Sequence, residues 1–432
     1  MDDSGKVTAV GRPHSAVSAG VGWVGLAGLL AWMLVGRAWG MEGPLAALCG
    51  LLACGVPMIA WSLLVDKVHR NPSTGIDWAS PPRPLAENFD ISLAKIVGLW
   101  ATWAGIACLY CIARWYWDGN YLFAMNVLGV GAVPLLVVSV PYVLWLDRRL
   151  KEPRDGAWQL GRMIAGKGLP ADREMLWDYL RSWAVKGFFL AFMISILPGN
   201  WADTIRPAGA DIAADPVSLA RWLIAVLFMI DVSFATVGYM LTLKPLDAHI
   251  RSANPYAAGW AAALICYPPF ILMNAGGPLD YHPGTGDWTY WLEAYPLAMA
   301  VTGLLLVLLT AIYAWATVAF GLRFSNLTHR GILTHGPYAW TKHPAYLAKN
   351  LFWWLATLPF LSVSGSVVEM VRNTAILAIV SGVYYWRART EERHLSADPA
   401  YRAYAAWIEQ HGPLARALRW LRSKPAEPVA AE

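Results

Sequence analysis

Apolar runs near the length of a bilayer crossing constrain this chain more than any other feature. They fall at about 17–36, 43–64, 93–114, 125–146, 184–198, 217–242, 257–274, 294–320, 350–364 and 367–386, with the fifth and ninth short. Crossing about 30 Å of hydrocarbon takes roughly 20 helical residues. Inside lipid every backbone polar group needs a partner in the protein, so only helices and closed barrels span. Barrel strands alternate apolar and polar residues, and these runs do not alternate. The composition agrees: 57% hydrophobic and 15% charged, against roughly 25% charged in soluble domains. The expected fold is an all-α, polytopic integral membrane protein with about ten transmembrane helices.

Charge then sets the topology. With both ends in the cytoplasm and ten alternating helices, the 34 Lys and Arg lie on inner stretches except Arg37, Arg114, Arg206, Arg221 and Arg372. Such asymmetry orients membrane proteins. It predicts a multi-pass protein of a bacterial inner (cytoplasmic) membrane. The first run follows Lys6 and Arg12 and is longer than the apolar region of a signal peptide, so it reads as a signal anchor. The net charge of +5 is accounted for by topology and by attraction to anionic headgroups of membrane lipids; no nucleic acid is required. Cys49, Cys54, Cys108, Cys111 and Cys266 all fall inside apolar runs. The "CLYC" of 108–111 reads as two small packing residues. Neither a disulfide framework nor a metal site is expected. Oligomeric state is not legible.

Three inner-side stretches break the apolar pattern. The first, 66–90, is rich in Pro and turn formers and includes His69, Arg70 and Asn71, which read as a solvated loop. The second, 147–183, contains "PADREMLWDYLRSW". Met175, Leu176, Tyr179, Leu180 and Trp183 have helical spacing there, which predicts an amphipathic helix lying at the interface. The third pairs 321–349 with the tail 387–422. These two flank a tight helical pair, 350–386, so they meet at one membrane face. The division expected is a scaffold over 1–290, a functional core over 291–422 and a disordered tail over 423–432.

The chemistry is sought in that third region. In "THRGILTHGPYAWTKHPAYLAKNLFW", Gly331 and His335-Gly336-Pro337 interrupt any helix. Pro344 suits a helix start. The helix it opens is expected to bury Leu347, Leu351 and Trp354, and its free N–H groups could hold a carboxylate. The second half, "YYWRARTEERHLSADPAYRAYAAWI", leaves the last span at the same face. Arg387 and Glu391 are four apart and share a helix face, while Glu391 and Glu392 point different ways. Alone, the first half reads as an interfacial turn and the second as a surface salt-bridge ladder.

Together the halves resemble the isoprenylcysteine carboxyl methyltransferase family and its phospholipid methyltransferase relatives. The matching pieces are "GPY" at 336–338, "KHPAY" at 342–346, "RARTEERHL" at 387–395 and "YRAY" at 401–404. Order and spacing both agree, over roughly 295–420. The resemblance implies S-adenosylmethionine as cofactor and methyl transfer to a lipophilic small molecule or lipid at the cytoplasmic face. It implies cofactor contacts from His335, Gly336, Pro337, Tyr338, Lys342, His343, Pro344 and Tyr346. Glu391 and Glu392 would hold the cofactor's polar end or orient the acceptor, and Arg387 would face the acceptor, which makes Arg387 and Glu391 the implied catalytic pair. Lys342 stands where the family usually has Arg. It keeps the charge but lacks the planar fork that grips a carboxylate twice.

Methyl transfer from a sulfonium is an in-line displacement, for which orientation alone can supply about 7–11 kcal/mol. A carboxylate acceptor is already ionised at pH 7. An amine, thiol or phenol needs a base, and Glu391 or His343 could serve. The acceptor remains open among these four. A membrane sterol reductase using reduced nicotinamide is a rival resemblance for "KHPAYLAKNLFWW". The chain lacks its Asn before Tyr346, and has Ala348-Lys349 in place of its Gly-Asp. A transporter or scaffold is the third reading. Beyond the core, Asp231 lies mid-helix, where an ionisable group is a functional candidate. Asp247, His249 and Arg251 lie in the inner connector 241–260. These four are the candidates for an acceptor pocket.

Overall fold

The structure, a computed structural model, describes residues 11–422. Lys6 and the tail 423–432 lie outside the described residues. The helices are α1 (Ala19–Ala38), α2 (Pro44–Leu64), α3 (Leu85–Ile112), α4 (Tyr121–Asp147), α5 (Gly156–Ile164), α6 (Arg173–Ile205), α7 (Gly209–Ile212), α8 (Pro216–Met240), α9 (Ala257–Leu264), α10 (Trp288–Trp291), α11 (Pro296–Phe320), α12 (Pro344–Thr357), α13 (Val367–Leu395), α14 (Pro399–His411) and α15 (Pro413–Arg422). Two short strands, β1 (Ser252–Ala253) and β2 (Thr328–His329), pair antiparallel, with Ser252 opposite His329.

Eight of these helices, α1, α2, α3, α4, α6, α8, α11 and α13, are long and apolar enough to cross a bilayer. The other two apolar runs cross differently. Helix α9 has 8 residues and α12 has 14, which reach only about 12 and 21 Å at the helical rise. Irregular chain completes both. At one end of the bundle, β1 pairs with β2 just before α9. At the other end, Thr285 Oγ1 donates to Thr357 O (3.2 Å) and Val363 N to Gly284 O (2.8 Å). Chain without helical bonds survives at membrane depth only where protein supplies its partners. Leu272 N to Ile265 O (3.2 Å) and Leu279 N to Leu272 O (2.8 Å) are such partners.

Small residues let the helices approach. A Cβ on Gly28 of α1 would lie 2.1 Å from Ala53 O of α2, and one on Gly98 of α3 would lie 1.9 Å from Ala157 O of α5. Backbones this close are the usual contact between helices in lipid, where burial of apolar surface gives little drive. Helix α8 is the centre. Met229 to Tyr239 are buried without interruption. The rim is inverted relative to a soluble protein: Val130, Val133, Leu135 and Val137 of α4 are exposed and face the lipid region.

Three expectations change. The stretch 170–183 forms no separate interfacial helix. Asp172 caps Met175 N, and α6 runs on unbroken for 33 residues, taking in the short apolar run 184–198. No Pro lies between Arg173 and Leu197, so the amphipathic turns extend the span. Second, Leu347 and Leu351 point outward, and α12 buries Pro344 and Ala348 instead. In a bilayer the leucines satisfy the lipid-facing side and the small Ala348 allows close packing. Third, Cys108 and Cys111 are exposed free thiols on the outer side of α3 rather than packing residues.

Arg37 donates to Thr204 O (2.8 Å) and Pro207 O (2.9 Å) past the end of α6. Arg206 pairs with Glu42, and Arg221 lies 3.5 Å from Asp287. Arg372 reaches Asp280 O at 3.2 Å. These groups gather at the end opposite β1 and β2.

Candidate functional site

The hairpin of α12 and α13 brings the two motif halves together. The Tyr346 hydroxyl donates to Glu391 Oε1, across 45 residues of chain. One residue along, Glu392 Oε1 lies 3.0 Å from His343 Nε2 and 3.0 Å from Lys342 Nζ. Its other oxygen takes 2.6 Å from Arg389. Adjacent positions on a helix point about 100° apart. The doubled glutamate therefore serves two neighbourhoods, Glu391 toward Tyr346 and Arg387 and Glu392 toward the cationic loop. Pro344 opens α12, as its fixed φ favours, and so fixes where His343 and Tyr346 stand. Their rings lie parallel, 5.6 Å apart at 5°.

Arg387 links this pair to the interior. It is 2% exposed, donates to Asn326 Oδ1 at 2.6 Å, and lies 3.4 Å from Glu391 Oε1. Its guanidinium sits 5.1 Å from the Tyr346 ring and 5.5 Å from Tyr267. A buried charge is tolerated only with such partners.

The Gly336-Pro337-Tyr338 turn packs beside this cluster. Gly336 has φ +59°, in the left-handed region, and a Cβ there would approach Trp315 Nε1 at 3.3 Å. Pro337 is buried, and the Tyr338 ring meets Phe320 edge-on at 5.4 Å. Burial, then Tyr404 and Glu391, push the Tyr338 phenol well above its usual range, which keeps it neutral. Tyr404 of the "YRAY" pair donates to Tyr338 O at 2.8 Å, closing the turn from α14. His335 is held elsewhere, with Nδ1 2.8 Å from Ser15 Oγ, and burial followed by Arg12 lowers its pKa.

Of the four pocket candidates, only Asp231 reaches toward this hairpin. It accepts from Tyr313 (2.9 Å) and Thr317 (2.5 Å), both on α11. Asp247 belongs to a separate polar hub. It takes Arg323 at 2.8 Å, Asn71 at 3.0 Å and Ser73 at 2.8 Å, with Arg251 at 3.6 Å. Burial opposes its ionisation, but Arg323, Asn71 and Ser73 outweigh this and hold the carboxyl below its usual range. His249 has a buried Nδ1 without a partner, and burial with Lys244 lowers its pKa to about 4. Among the described residues no hydrogen bond or ion pair joins Asp247, His249 or Arg251 to Glu391 or Glu392. The connector still reaches the hairpin through other residues: Ser252 Oγ lies 2.9 Å from His394 Nε2, and Arg393 lies 4.0 Å over Tyr256.

The residues missed from sequence are those whose partners are distant backbone. Arg330 donates to the carbonyls of Ala248, Gly238 (2.9 Å), Phe324 (2.8 Å), Leu241 (3.2 Å) and Leu322 (2.8 Å). Burial, then Arg323, lowers its pKa to about 9. Asn326 and Tyr267, the partners of Arg387, also carried no motif signal. A cleft of about 260 Å³ lies apart from the hairpin, lined by His14, Ser18, Asp66 and Arg323 among others.

The donor set suits a zwitterion with a flat ring. Glu392 beside Lys342 and Arg389 offers both signs within 3.0 Å, and the parallel His343 and Tyr346 rings offer apolar faces. An amino-acid end and a nucleoside call for those two features. Among the described residues, no cluster of His, Cys, Asp and Glu is arranged to hold a metal.

No curated protein and no solved structure matches the chain. Residues 296–397 match the model of the Isoprenylcysteine carboxyl methyltransferase (ICMT) family. The match begins with α11 and ends just beyond α13, so it spans both halves of the hairpin site. Over those residues the chain is ICMT-like, and the family is one of membrane methyltransferases that use S-adenosylmethionine.

Proposed function

We propose that this protein is an S-adenosylmethionine-dependent methyltransferase acting on a lipophilic acceptor at the cytoplasmic face of an inner membrane, with 291–422 as its catalytic core and 1–290 as scaffold. The observation that carries the reading is the double bridge across the hairpin, Tyr346 to Glu391 and His343 to Glu392. It puts motif halves separated by a membrane-crossing hairpin within hydrogen-bond reach at one end of the bundle. That end carries most of the Lys and Arg, which supports a cytoplasmic location.

S-adenosylmethionine supplies an electrophilic methyl group on a sulfonium. Glu392, Lys342 and Arg389 bind the charged amino-acid end. The stacked His343 and Tyr346, with the Gly336–Tyr338 turn, form the wall along the nucleoside. Glu391 lies where a carboxylate favours a bound cation, and Arg387 orients the acceptor. A carboxylate acceptor arrives ionised. An amine, thiol or phenol would lose its proton to Glu391 Oε1, which already accepts from Tyr346. The exposed leucines of α12 leave the lipid side of the hairpin apolar, so an acceptor arrives laterally with little water.

The test is transfer of labelled methyl from S-adenosylmethionine to a membrane lipid extract by purified protein. One labelled lipophilic species is expected, absent with Glu391→Ala. Oxidation of reduced nicotinamide without methyl transfer would replace this reading with the reductase.

A further inference from the structure

Arg387 leans on a residue with no motif of its own. Asn326 Oδ1 accepts from the Arg387 guanidinium at 2.6 Å. A guanidinium only donates, so the amide oxygen must face it and the amide nitrogen must face away. That nitrogen donates to the Tyr267 hydroxyl at 3.3 Å, and the backbone N–H of Asn326 donates to the Tyr239 hydroxyl at 2.8 Å. Both tyrosines precede the matched segment 296–397. Their rings are fixed from α6. Phe189 lies parallel to Tyr239 at 5.6 Å and meets Tyr267 edge-on at 5.0 Å, and Phe192 adds a second edge to Tyr267 at 5.4 Å. The same Tyr267 ring lies 5.5 Å from the guanidinium.

The loop that carries Asn326 is held against its own preference. Leu327, the next residue, has φ +58° and is 3% exposed. A bulky side chain is disfavoured in that left-handed region. The surroundings enforce it: Leu327 O accepts from Asn254 N at 2.7 Å, and Thr328 pairs with Ala253 between β2 and β1. Backbone strain persists where the fold over-determines a position, and an observed outlier beside a site points to a role there. Here it delivers one amide to one guanidinium.

The competing partner of Arg387 is close. Glu391 Oε1 lies 3.4 Å from Arg387 Nε, one helical turn on, and already accepts from Tyr346. Among the described residues, Asn326 and Glu391 are the hydrogen-bond partners of Arg387. With the amide gone, the guanidinium has Glu391 to turn to, and opposite charges four apart on a helix pair readily. Closure would tie the two groups to each other.

We propose that Asn326, braced by Tyr239 and Tyr267, is a positioning residue that holds Arg387 apart from Glu391. Arg387 is thereby kept for the acceptor, and Glu391 for Tyr346 and the bound cation. The chain before the matched segment then has a part in the chemistry: α6, α8 and the stretch after α9 set the direction of the core's arginine. The acceptor role of Arg387 rests on the methyltransferase reading; the hold on its guanidinium does not.

The test uses purified full-length protein in neutral detergent and two readouts. Butane-2,3-dione labels accessible arginines, which mass spectrometry maps. Arg387 is expected to be protected in wild type and in Asn326→Asp, which keeps an oxygen in place while the Tyr267 hydroxyl donates instead of accepting. It is expected to react at least about 10-fold faster in Asn326→Ala. Arg330, 3% exposed, stays protected throughout and is the control for unfolding. The second readout is transfer of labelled methyl from S-adenosylmethionine to a membrane lipid extract. Asn326→Ala should lower kcat/KM for the extract about 10- to 100-fold and leave KM for S-adenosylmethionine unchanged. Asn326→Asp should recover most of that loss. A purely structural asparagine would shift both KM values and expose Arg330 as well, which overturns the proposal. Unchanged Arg387 labelling or unchanged transfer in Asn326→Ala overturns it too. If that variant does not fold, Tyr267→Phe, which removes only the hydroxyl that holds the amide, should show the same changes to a smaller extent, and no change overturns the proposal. Absence of transfer by wild type counts against the methyltransferase reading, and the labelling then decides the hold on Arg387.

Discussion

His343 on the turn before α12 and Glu392 on the far arm of α13 meet at 3.0 Å, 49 residues apart in sequence. Between them the chain crosses the bundle and returns. The same carboxylate also holds Lys342 and Arg389, so one side chain organises two cationic groups and an imidazole that no other acid serves in common among the described residues.

Glu392→Ala therefore removes the anion from between two cations and the His343 ring. Charge-assisted bonds contribute about 1.5–3 kcal/mol each. The variant should bind S-adenosylmethionine about 10- to 100-fold more weakly by calorimetry. Glu392→Gln, which keeps one acceptor, should fall between it and wild type.

Asp231 accepts two hydroxyls in the buried centre of α8. Replacing it by Leu leaves Tyr313 and Thr317 without an acceptor, at about 1–3 kcal/mol for each buried unsatisfied group. Thermal unfolding in detergent should drop by several degrees. Affinity for S-adenosylmethionine should not change, because Asp231 is bonded to α11 and not to the Glu391–Glu392 pair.

His249 gives a pH dependence with a definite sign. Burial, with Lys244 next to it, holds the folded pKa near 4, against 6.5 for the ordinary group. The unfolded chain thus takes up a proton first as pH falls. The stability contributed by the neutral ring is complete above about 6.5 and is lost progressively as pH drops toward 4. The loss is at most about 3 kcal/mol at 1.36 kcal/mol per unit. Melting temperature against pH should fall in that window for wild type and flatten in His249→Gln. Asp247 adds to the trend at lower pH, since its lowered carboxyl also weakens the fold on acidification.

Arg330 donates to five carbonyls from the ends of α8 and α11 and the segments beside them. Arg330→Met leaves those carbonyls buried and unpaired, a loss of more than about 3 kcal/mol. Size-exclusion chromatography of the detergent extract should show little monodisperse protein. Arg330→Lys, with a single donor group, should rescue only a minor part.

Much of this molecule could be read locally. Apolar runs near 20 residues without alternation gave helices because the only other spanning structure, a closed barrel, alternates, and Pro344 began α12 because its ring suits that position. The pairing of His343, Tyr346, Glu391 and Glu392 followed from two polar stretches flanking one tight helical hairpin. The misplacements share a cause. Met175, Leu176 and Tyr179 have the periodicity of an interfacial helix, but nothing in sequence says where a helix stops when neither Pro nor cap marks the end. A rule for water-soluble helices turns Leu347 and Leu351 inward, whereas in lipid Ala348 is the residue that packs. Asp247 resembled a pocket acid because Arg323, 76 residues away, is not visible as its partner in the chain. Arg330 is the extreme case, since its partners are backbone oxygens and leave no side-chain pattern at all.

The central claim is that the two arms of the hairpin close around S-adenosylmethionine, and calorimetric titration of that compound into the purified protein tests it most directly. The account predicts saturable binding at one site per chain, weakened at least about 10-fold in Glu392→Ala and unaffected in Asp231→Leu. No heat of binding to folded wild-type protein, or binding that ignores Glu392, would contradict it.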